Sequence, residues 1–288
     1  MNQHLNLARI KKNDEWYTFL EDIEKEMELF KHHFENKIIY CNCDDPKFSN
    51  FWKFFNDNFK ELKLKKLYAT FLNEEESFLY EKTNEEVKKT KLKSNGDFLS
   101  FECVEIFKKA DLIITNPPFS LIQNFYELLK KHSKSFILIV PPNALSKPII
   151  WKDFQKNKVR VSNNSIGKFF NHNNRNLLAA AIWISDLDFQ KNNYIKLNNS
   201  ISNIKKQFID FPKYLIVEKS RHIPNDYFLE MVVPLTYLKF HDPKLFVILE
   251  IVRPFKNDRP IFVKCLIIRK FKNDGTLNYI PEKELSLF

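Results

Sequence analysis

The stretch Asp111–Ser120 reads DLIITNPPFS, and its residue types define a specific chemistry. Leu112, Ile113 and Ile114 make a short apolar strand that runs into Asn116, Pro117, Pro118 and Phe119. Both prolines fix φ, lack an N–H and push the residue before them out of helical geometry, so the loop is stiff and offers acceptors without donors. An amino group on an aromatic ring is a poor nucleophile because its lone pair is delocalised into the ring. If the Asn116 side-chain oxygen and the Pro117 carbonyl accept its two hydrogens, the nitrogen becomes more tetrahedral and can attack an electrophilic methyl group. Phe119 then stands where it can stack on the ring being held. As an isolated tripeptide, NPP is also an ordinary tight connection. Its place at the end of a buried strand, where open α/β sheets bind ligands, favours the chemical reading.

The elements that must position this loop follow from the pattern of apolar residues. Thr18 and Glu21 fit a capping box, and Leu20, Ile23, Met27, Phe30 and Phe34 form one apolar helical face. A strand at Lys37–Cys43 ends in Asp44-Asp45-Pro46, and Ser49 is the expected N-cap of a helix through Phe51, Trp52, Phe55 and Phe59. The two carboxylates fall at the strand edge that Asn116 should share. There they can accept hydrogen bonds from a ribose or an ammonium group, or serve as solvated turn residues. A second strand spans Lys66–Phe71, and the run from Asn73 to Lys93, low in apolar content, reads as exposed loop or solvated helix. Ser94 to Phe98 (SNGDF) can bind the edge and face of an adenine or form a turn before a helix at Cys103–Lys109. A helix at Leu121–Lys130 and an apolar strand at Ser135–Val140 complete a strand–helix alternation that implies a mainly parallel sheet.

At 288 residues the chain can hold one sizeable α/β domain and a smaller unit. A formal charge of +10 points to an anionic partner, nucleic acid ahead of a membrane surface. No signal peptide or long uncharged apolar run is visible, so a cytoplasmic protein without a membrane partner is expected. Cys41, Cys43, Cys103 and Cys265 are too few and scattered for a disulfide framework; Cys41 and Cys43 read as core residues on one strand face. Only three glycines occur, which excludes both a GxGxxG dinucleotide loop and a Walker phosphate loop.

Taken together, the motifs resemble those of the EcoRI-type adenine-specific DNA methyltransferases. The resemblance rests on NDEWYT (Asn13–Thr18), IYCNCDDPKFSNFW (Ile39–Trp52), LKKLYAT (Leu64–Thr70), GDF (Gly96–Phe98), DLIITNPPFSL (Asp111–Leu121) and VPLTYL (Val233–Leu238), in that order. NPPF is shared by many amino-group methyltransferases, whereas NCDDP followed by SNFW is far more specific. The resemblance implies a Rossmann-like class I methyltransferase, a mainly parallel sheet with helices on both faces, followed by a smaller mixed, basic target-recognition region. It implies methyl transfer from S-adenosylmethionine to the exocyclic amine of a flipped-out adenine in double-stranded DNA, as the modification enzyme of a restriction-modification system. A cognate restriction endonuclease would act separately, and a monomer is expected. Carried over, Asn116, Pro117, Pro118 and Phe119 form the catalytic loop. Asp44, Asp45 and Pro46 lie by the methionine and ribose parts of the cofactor, Asp97 and Phe98 by its adenine, and Asn13, Asp14, Trp16, Tyr17 and Thr18 against its methionine end. No metal is expected, because a sulfonium leaving group needs no activation by one. The chain departs from the family's pattern at Pro141-Pro142-Asn143, at Val232, and in the strand Ile182–Ser185, where an isoleucine replaces an expected aromatic. Trp183 is either the second wall of the base pocket or a core residue.

Charge placement supports a nucleic-acid partner independently. Residues 144–185 carry seven Lys or Arg against one Asp, and residues 251–272 repeat that ratio, +6 each. Lys147, Lys152, Lys158, Arg160, Lys168, Arg175, Arg253 and Arg259 are the expected DNA contacts. If about six such charges meet phosphates, log K falls with log salt at a slope of roughly −5. The expected domains are a methyltransferase domain over 1–189, with 144–185 its basic DNA-contacting segment, and a target-recognition region over 190–288. Two alternatives stay open: methylation of RNA or of a protein amide, and a catalytically silent nucleic-acid-binding protein.

Overall fold

The computed structural model describes residues 16–171, 175–189, 194–203, 214–252, 255–256, 259–260, 265–272 and 275–276. Asn13 and Asp14 therefore lie outside the described residues, as does Arg253. The chain divides into two compact units, Met1–Gln190 and Lys191–Phe288.

The first unit is built on a nine-stranded sheet. Its strands are β1 (Tyr17–Thr18), β2 (Ile38–Asn42), β3 (Lys66–Thr70), β4 (Phe78–Lys82), β5 (Val87–Lys91), β6 (Leu112–Thr115), β7 (Ser135–Val140), β8 (Arg160–Phe170) and β9 (Asn176–Ser185). Their order across the sheet is β1-β8-β9-β7-β6-β2-β3-β4-β5. The four central strands β7, β6, β2 and β3 are parallel, while the outer pairings are antiparallel. The sheet is thus mixed, with a parallel centre narrower than the alternation implied. From β2 the chain steps one way to β3 and later returns to place β6 on the other side of β2. The crevice between β2 and β6 is therefore a topological switch point, the place where open α/β sheets receive ligands.

Helices cover both faces. On one face α1 (Leu20–Met27) and α2 (Asn50–Asp57) bury Ile23, Met27, Phe51 and Phe55 against Ile39, Cys41, Leu67, Ile114, Ile139 and Trp183. On the other, Phe107 of α3 (Phe101–Lys109) packs against Tyr40, and Tyr126 of α4 (Ile122–Lys131) packs against Phe136. Burial of aromatic and aliphatic side chains on both faces, at roughly 25 cal/mol per Å² of apolar surface, fixes the strand edges that carry the loops. A further helix, α5 (Pro148–Gln155), follows β7.

Ser49 caps α2 as expected, accepting from the Phe51 and Trp52 amides. The capping box at Thr18 does not form: Thr18 remains in β1, paired with Phe169, and Phe19 occupies the cap position without a side-chain bond. The charged run after β3 is neither loop nor helix but the β4–β5 hairpin, whose fully exposed lysine-rich β5 is the sheet edge. Lysines on an edge strand discourage pairing with another chain. Cys41 is in the core, but Cys43 leaves the strand at φ +76° and is only half-buried, so the two do not share a face. All four cysteines are free.

The second unit contains a four-stranded sheet, ordered β10 (Leu215–Ile216), β11 (Met231–Pro234), β15 (Cys265–Lys270), β12 (Phe246–Val252), and a two-stranded ribbon of β13 (Phe255–Lys256) and β14 (Arg259–Pro260). Val232 packs in its core with Cys265 and Ile267. No helix among the described residues is long and apolar enough to cross a membrane.

Candidate active site

The strands β2 and β6 place their last residues side by side, and the chemistry-bearing residues gather there. Asn116 follows β6 directly. Its amide nitrogen donates to the Trp16 carbonyl at 2.6 Å. A carbonyl can only accept, so this bond fixes the orientation of the carboxamide and sends the oxygen the other way. That oxygen, Asn116 Oδ1, is buried and has no hydrogen-bond partner among the described residues. Leaving a buried acceptor unpaired costs about 1–3 kcal/mol, a cost that a donor entering the crevice removes. Phe119 packs edge-on against Phe169 of β8, ring centroids 6.1 Å apart. The Trp16 carbonyl ties the residue before β1 to the loop, and Asn50 of α2 donates to the Thr18 carbonyl at 2.8 Å. Tyr17 packs its ring against Phe48 and Phe170.

The two carboxylates after β2 have different fates. Asp45 accepts from the Lys47 amide at 3.0 Å, and its carbonyl accepts from Phe48 and Ser49, so the turn containing Pro46 is closed on itself. Asp44 is buried beneath it. Its Oδ1 accepts from Ser49 at 2.6 Å and its Oδ2 contacts the Thr115 hydroxyl at 2.5 Å. Burial pushes the Asp44 carboxyl up to about 7. Thr115 and Asn42 were not singled out in the sequence, yet both belong to this corner. The Asn42 side chain is buried with neither its nitrogen nor its oxygen paired among the described residues, and the same is true of Thr18 Oγ1.

The SNGDF loop docks at the end of the neighbouring strand β3. Gly96 has φ +77°, and a Cβ there would stand 2.1 Å from both the Phe71 carbonyl oxygen and Ser77 Oγ, so only glycine fits. Asp97 Oδ1 accepts from the Leu99 amide at 2.9 Å, ahead of Ser100, the N-cap of α3. The Phe98 ring is buried against Phe125 at 5.2 Å, so its side chain packs into the core. Of the two roles open to Trp183, the structure supports the core one: it is buried and packs edge-on against Phe51. The strand alternation that would have revealed this puts Trp183 on the same face as Ala181 and Ile139, both in that core.

Within the first unit, the expected DNA contacts do not form one face. Lys147, Lys152, Lys158, Arg160, Lys168 and Arg175 are all exposed. The eleven residues of β8 span about 33 Å at roughly 3.3 Å per residue, so its two ends lie at opposite edges of the sheet. Lys168 pairs with Leu178 at the end that reaches past Val140, beside the loop 116–119, and Arg175 directly precedes β9 at the same end. Arg160 pairs with Ser185 at the other end and donates to the Asp186 carbonyl. In the second unit Arg259 lies in β14, while two further cations of the basic run are used internally. Arg269 pairs with Glu230, and Lys270 donates to the Asn225 carbonyl and sits over the Phe228 ring. One group of three possible metal ligands is brought together among the described residues, His32, His33 and Asp188, and it lies at the sheet edge opposite Asn116.

Comparison with known proteins identifies the family. The chain matches the family described as "Adenine-specific methyltransferase EcoRI" over residues 4–276. It is similar to the Type II methyltransferase M.MgeORF184P of Mycoplasma genitalium, 35% identical over 86% of each chain. It is similar also to the Type II methyltransferase M.EcoRI of Escherichia coli, 30% identical over 86% of this chain and 89% of the relative. The Type II methyltransferase M.MpnI of Mycoplasma pneumoniae is 32% identical over 86% of this chain and 85% of the relative. No solved structure matches the chain significantly. The chain belongs to the EcoRI family of adenine-specific methyltransferases.

Proposed function

We propose, with that family membership as the premise, that this enzyme is the adenine-specific DNA methyltransferase of a restriction-modification system and that Asn116 holds the adenine amine during transfer. The buried, unpartnered oxygen of Asn116, aimed by the bond from its own nitrogen to Trp16, is the observation that carries the reading. When bound, S-adenosylmethionine supplies an electrophilic methyl group on a sulfonium. The residues fit such a group: Asp45 and Pro46 close a turn at the switch point, and Asp97 with the backbone at Phe98 borders the end of the neighbouring strand. The described residues suit a Rossmann-like class I arrangement, with the parallel centre of the sheet carrying the site.

In this reading the chain's own groups orient the reacting base. Asn116 Oδ1 and the Pro117 carbonyl accept the two amine hydrogens, which directs the nitrogen lone pair toward the methyl carbon. Pro117 and Pro118 deny the loop competing donors, and Phe119 covers the ring. Well-oriented pairs can supply about 7–11 kcal/mol of the barrier reduction, so positioning accounts for much of the rate. The target adenine leaves the duplex at a cost of a few kcal/mol, offset by contacts in the pocket. Lys168 and Arg175 at the catalytic edge, with the second unit as target-recognition region, would meet the DNA.

The test is to sequence the DNA of a host for methylated adenine with the protein expressed and absent, beside an in vitro assay offering duplex DNA, RNA and protein. Methylated adenine at one recurring DNA sequence is expected. Transfer to RNA or protein alone, or none, would overturn the reading.

A further inference from the structure

Adjacent carboxylates at a strand end are equivalent in sequence, but the hydrogens around Asp44 can be counted. Ser49 Oγ accepts from the Phe51 and Trp52 amides, so its single hydrogen goes to Asp44 Oδ1. Thr115 Oγ1 lies against two oxygens, the Asn42 carbonyl and Asp44 Oδ2, yet a hydroxyl has one hydrogen. The Asn42 carbonyl can only accept. Every contact is satisfied when Asp44 Oδ2 carries a proton and donates to Thr115, which donates to Asn42. The Asp44 amide meanwhile donates to the Thr70 carbonyl at 3.1 Å, which fixes the backbone of the turn to β3.

We propose that Asp44 is not a cofactor ligand but a neutral positioning residue, whose protonated carboxyl ties Thr115, the residue before Asn116, to the α2 cap at Ser49. The relay Ser49–Asp44–Thr115–Asn42 joins the ends of β2 and β6 to the start of α2. Cofactor loop and catalytic loop are thereby held at one separation. Burial and the neighbouring Asp45 carboxylate favour the neutral form and outweigh the Ser49 and Thr115 hydroxyls, which favour the charged one; Cys41, the other titratable group against it, is held as an uncharged thiol by its own burial. Asp44 and Asp45 are both buried, at 2% and 7% exposure, and it is the side-chain partners on both oxygens that set Asp44 apart.

The inference rests on the cofactor and amine sites proposed above, and Asp44→Asn tests it directly. The carboxamide oxygen can accept from Ser49 and its NH₂ can donate to Thr115, so it reproduces the protonated acid. Melting temperature, cofactor Kd and single-turnover rate should all stay within about threefold or a few degrees of wild type. A rise of about tenfold or more in cofactor Kd, or failure of this variant to fold, would overturn the proposal by marking the charge as essential. Thr115→Val should lower the transfer rate at least about tenfold with cofactor Kd within about threefold, and Thr115→Ser should restore it. An unchanged rate in Thr115→Val would refute the tie. Infrared difference spectra of wild type minus Asp44→Asn at pH 6 should contain a protonated-carboxyl band, and its absence would mean an ionised Asp44. That spectrum and the melting temperature decide the matter even if the wild-type enzyme transfers no methyl group.

Discussion

The two edges of the nine-stranded sheet treat polar groups in opposite ways. At the edge where the parallel strands begin, side chains close backbone positions. Asp111 accepts from the Ile38 amide at 2.8 Å, Asp186 accepts from the Phe136 amide at 2.7 Å, and Lys134 donates to the Lys108 and Ala110 carbonyls. His132 Nε2 there, and Glu26 Oε1 and Trp183 Nε1 elsewhere in the unit, are exceptions, buried without a partner among the described residues. At the edge where the strands end, Thr18 Oγ1, both side-chain atoms of Asn42 and Asn116 Oδ1 are buried and unpaired among the described residues. Buried polar atoms ordinarily find partners, so four orphans on one edge support the proposal that this edge receives a ligand's donors and acceptors. One edge holds the fold together, and the other is where we propose that the reaction takes place.

A raised carboxyl pKa does not by itself separate these roles, and Glu26 makes that comparison sharp. It lies under β8, bonded to Ser162 and Asn164, and burial pushes it to about 7 from 4.5. The protonated form suits the folded state, so this group's contribution is fully favourable below 4.5 and is lost as pH rises through about 7. Glu26→Gln should therefore gain stability relative to wild type between those values, by up to about 3 kcal/mol, with the transfer rate unchanged. Denaturant titrations at pH 5 and pH 8 check this; a rate that falls with the variant would mean the acid serves the site.

Next in size is Asp186→Ala, which leaves the buried Phe136 amide unpaired and should cost about 1–3 kcal/mol. Methyl transfer per folded molecule should hold. A large loss of specific activity without a loss of melting temperature would erase the distinction between the edges. The smallest effect separates the two ends of β8. Lys168→Gln should reduce the salt slope of DNA binding by about 1, whereas Lys158→Gln should leave it unchanged. Equal effects would mean that DNA covers both edges.

Local chemistry was readable from the chain wherever neighbouring residues decide it. The Ser49 cap and the SFILIV strand depend on a few contiguous residues, as does the place of Asn116 at a strand end, whereas the bond that orients its side chain comes from Trp16, 100 residues away. The β4–β5 hairpin escaped because its charges suggested solvent. In the fold, Lys89 lies over the Phe78 ring, 3.7 Å from its centroid, and Lys91 pairs with Glu76, contacts between strands that no single stretch displays. Asp44 and Asp45 were indistinguishable for a similar reason: the positive φ of Cys43 turns the chain, and Thr115, 71 residues away, completes Asp44's partners. The basic segment looked continuous because sequence spacing hides how far one long strand carries its two ends apart.

The orphaned oxygen of Asn116 is the point on which catalysis is made to depend. Asn116→Ala should be measured for single-turnover methyl transfer to duplex DNA and, on the same protein, for cofactor affinity by calorimetry. The transfer rate should fall at least about a hundredfold, the scale of losing one preorganised polar contact to the reacting group, while cofactor Kd stays within about threefold. Turnover equal to wild type would contradict the assignment.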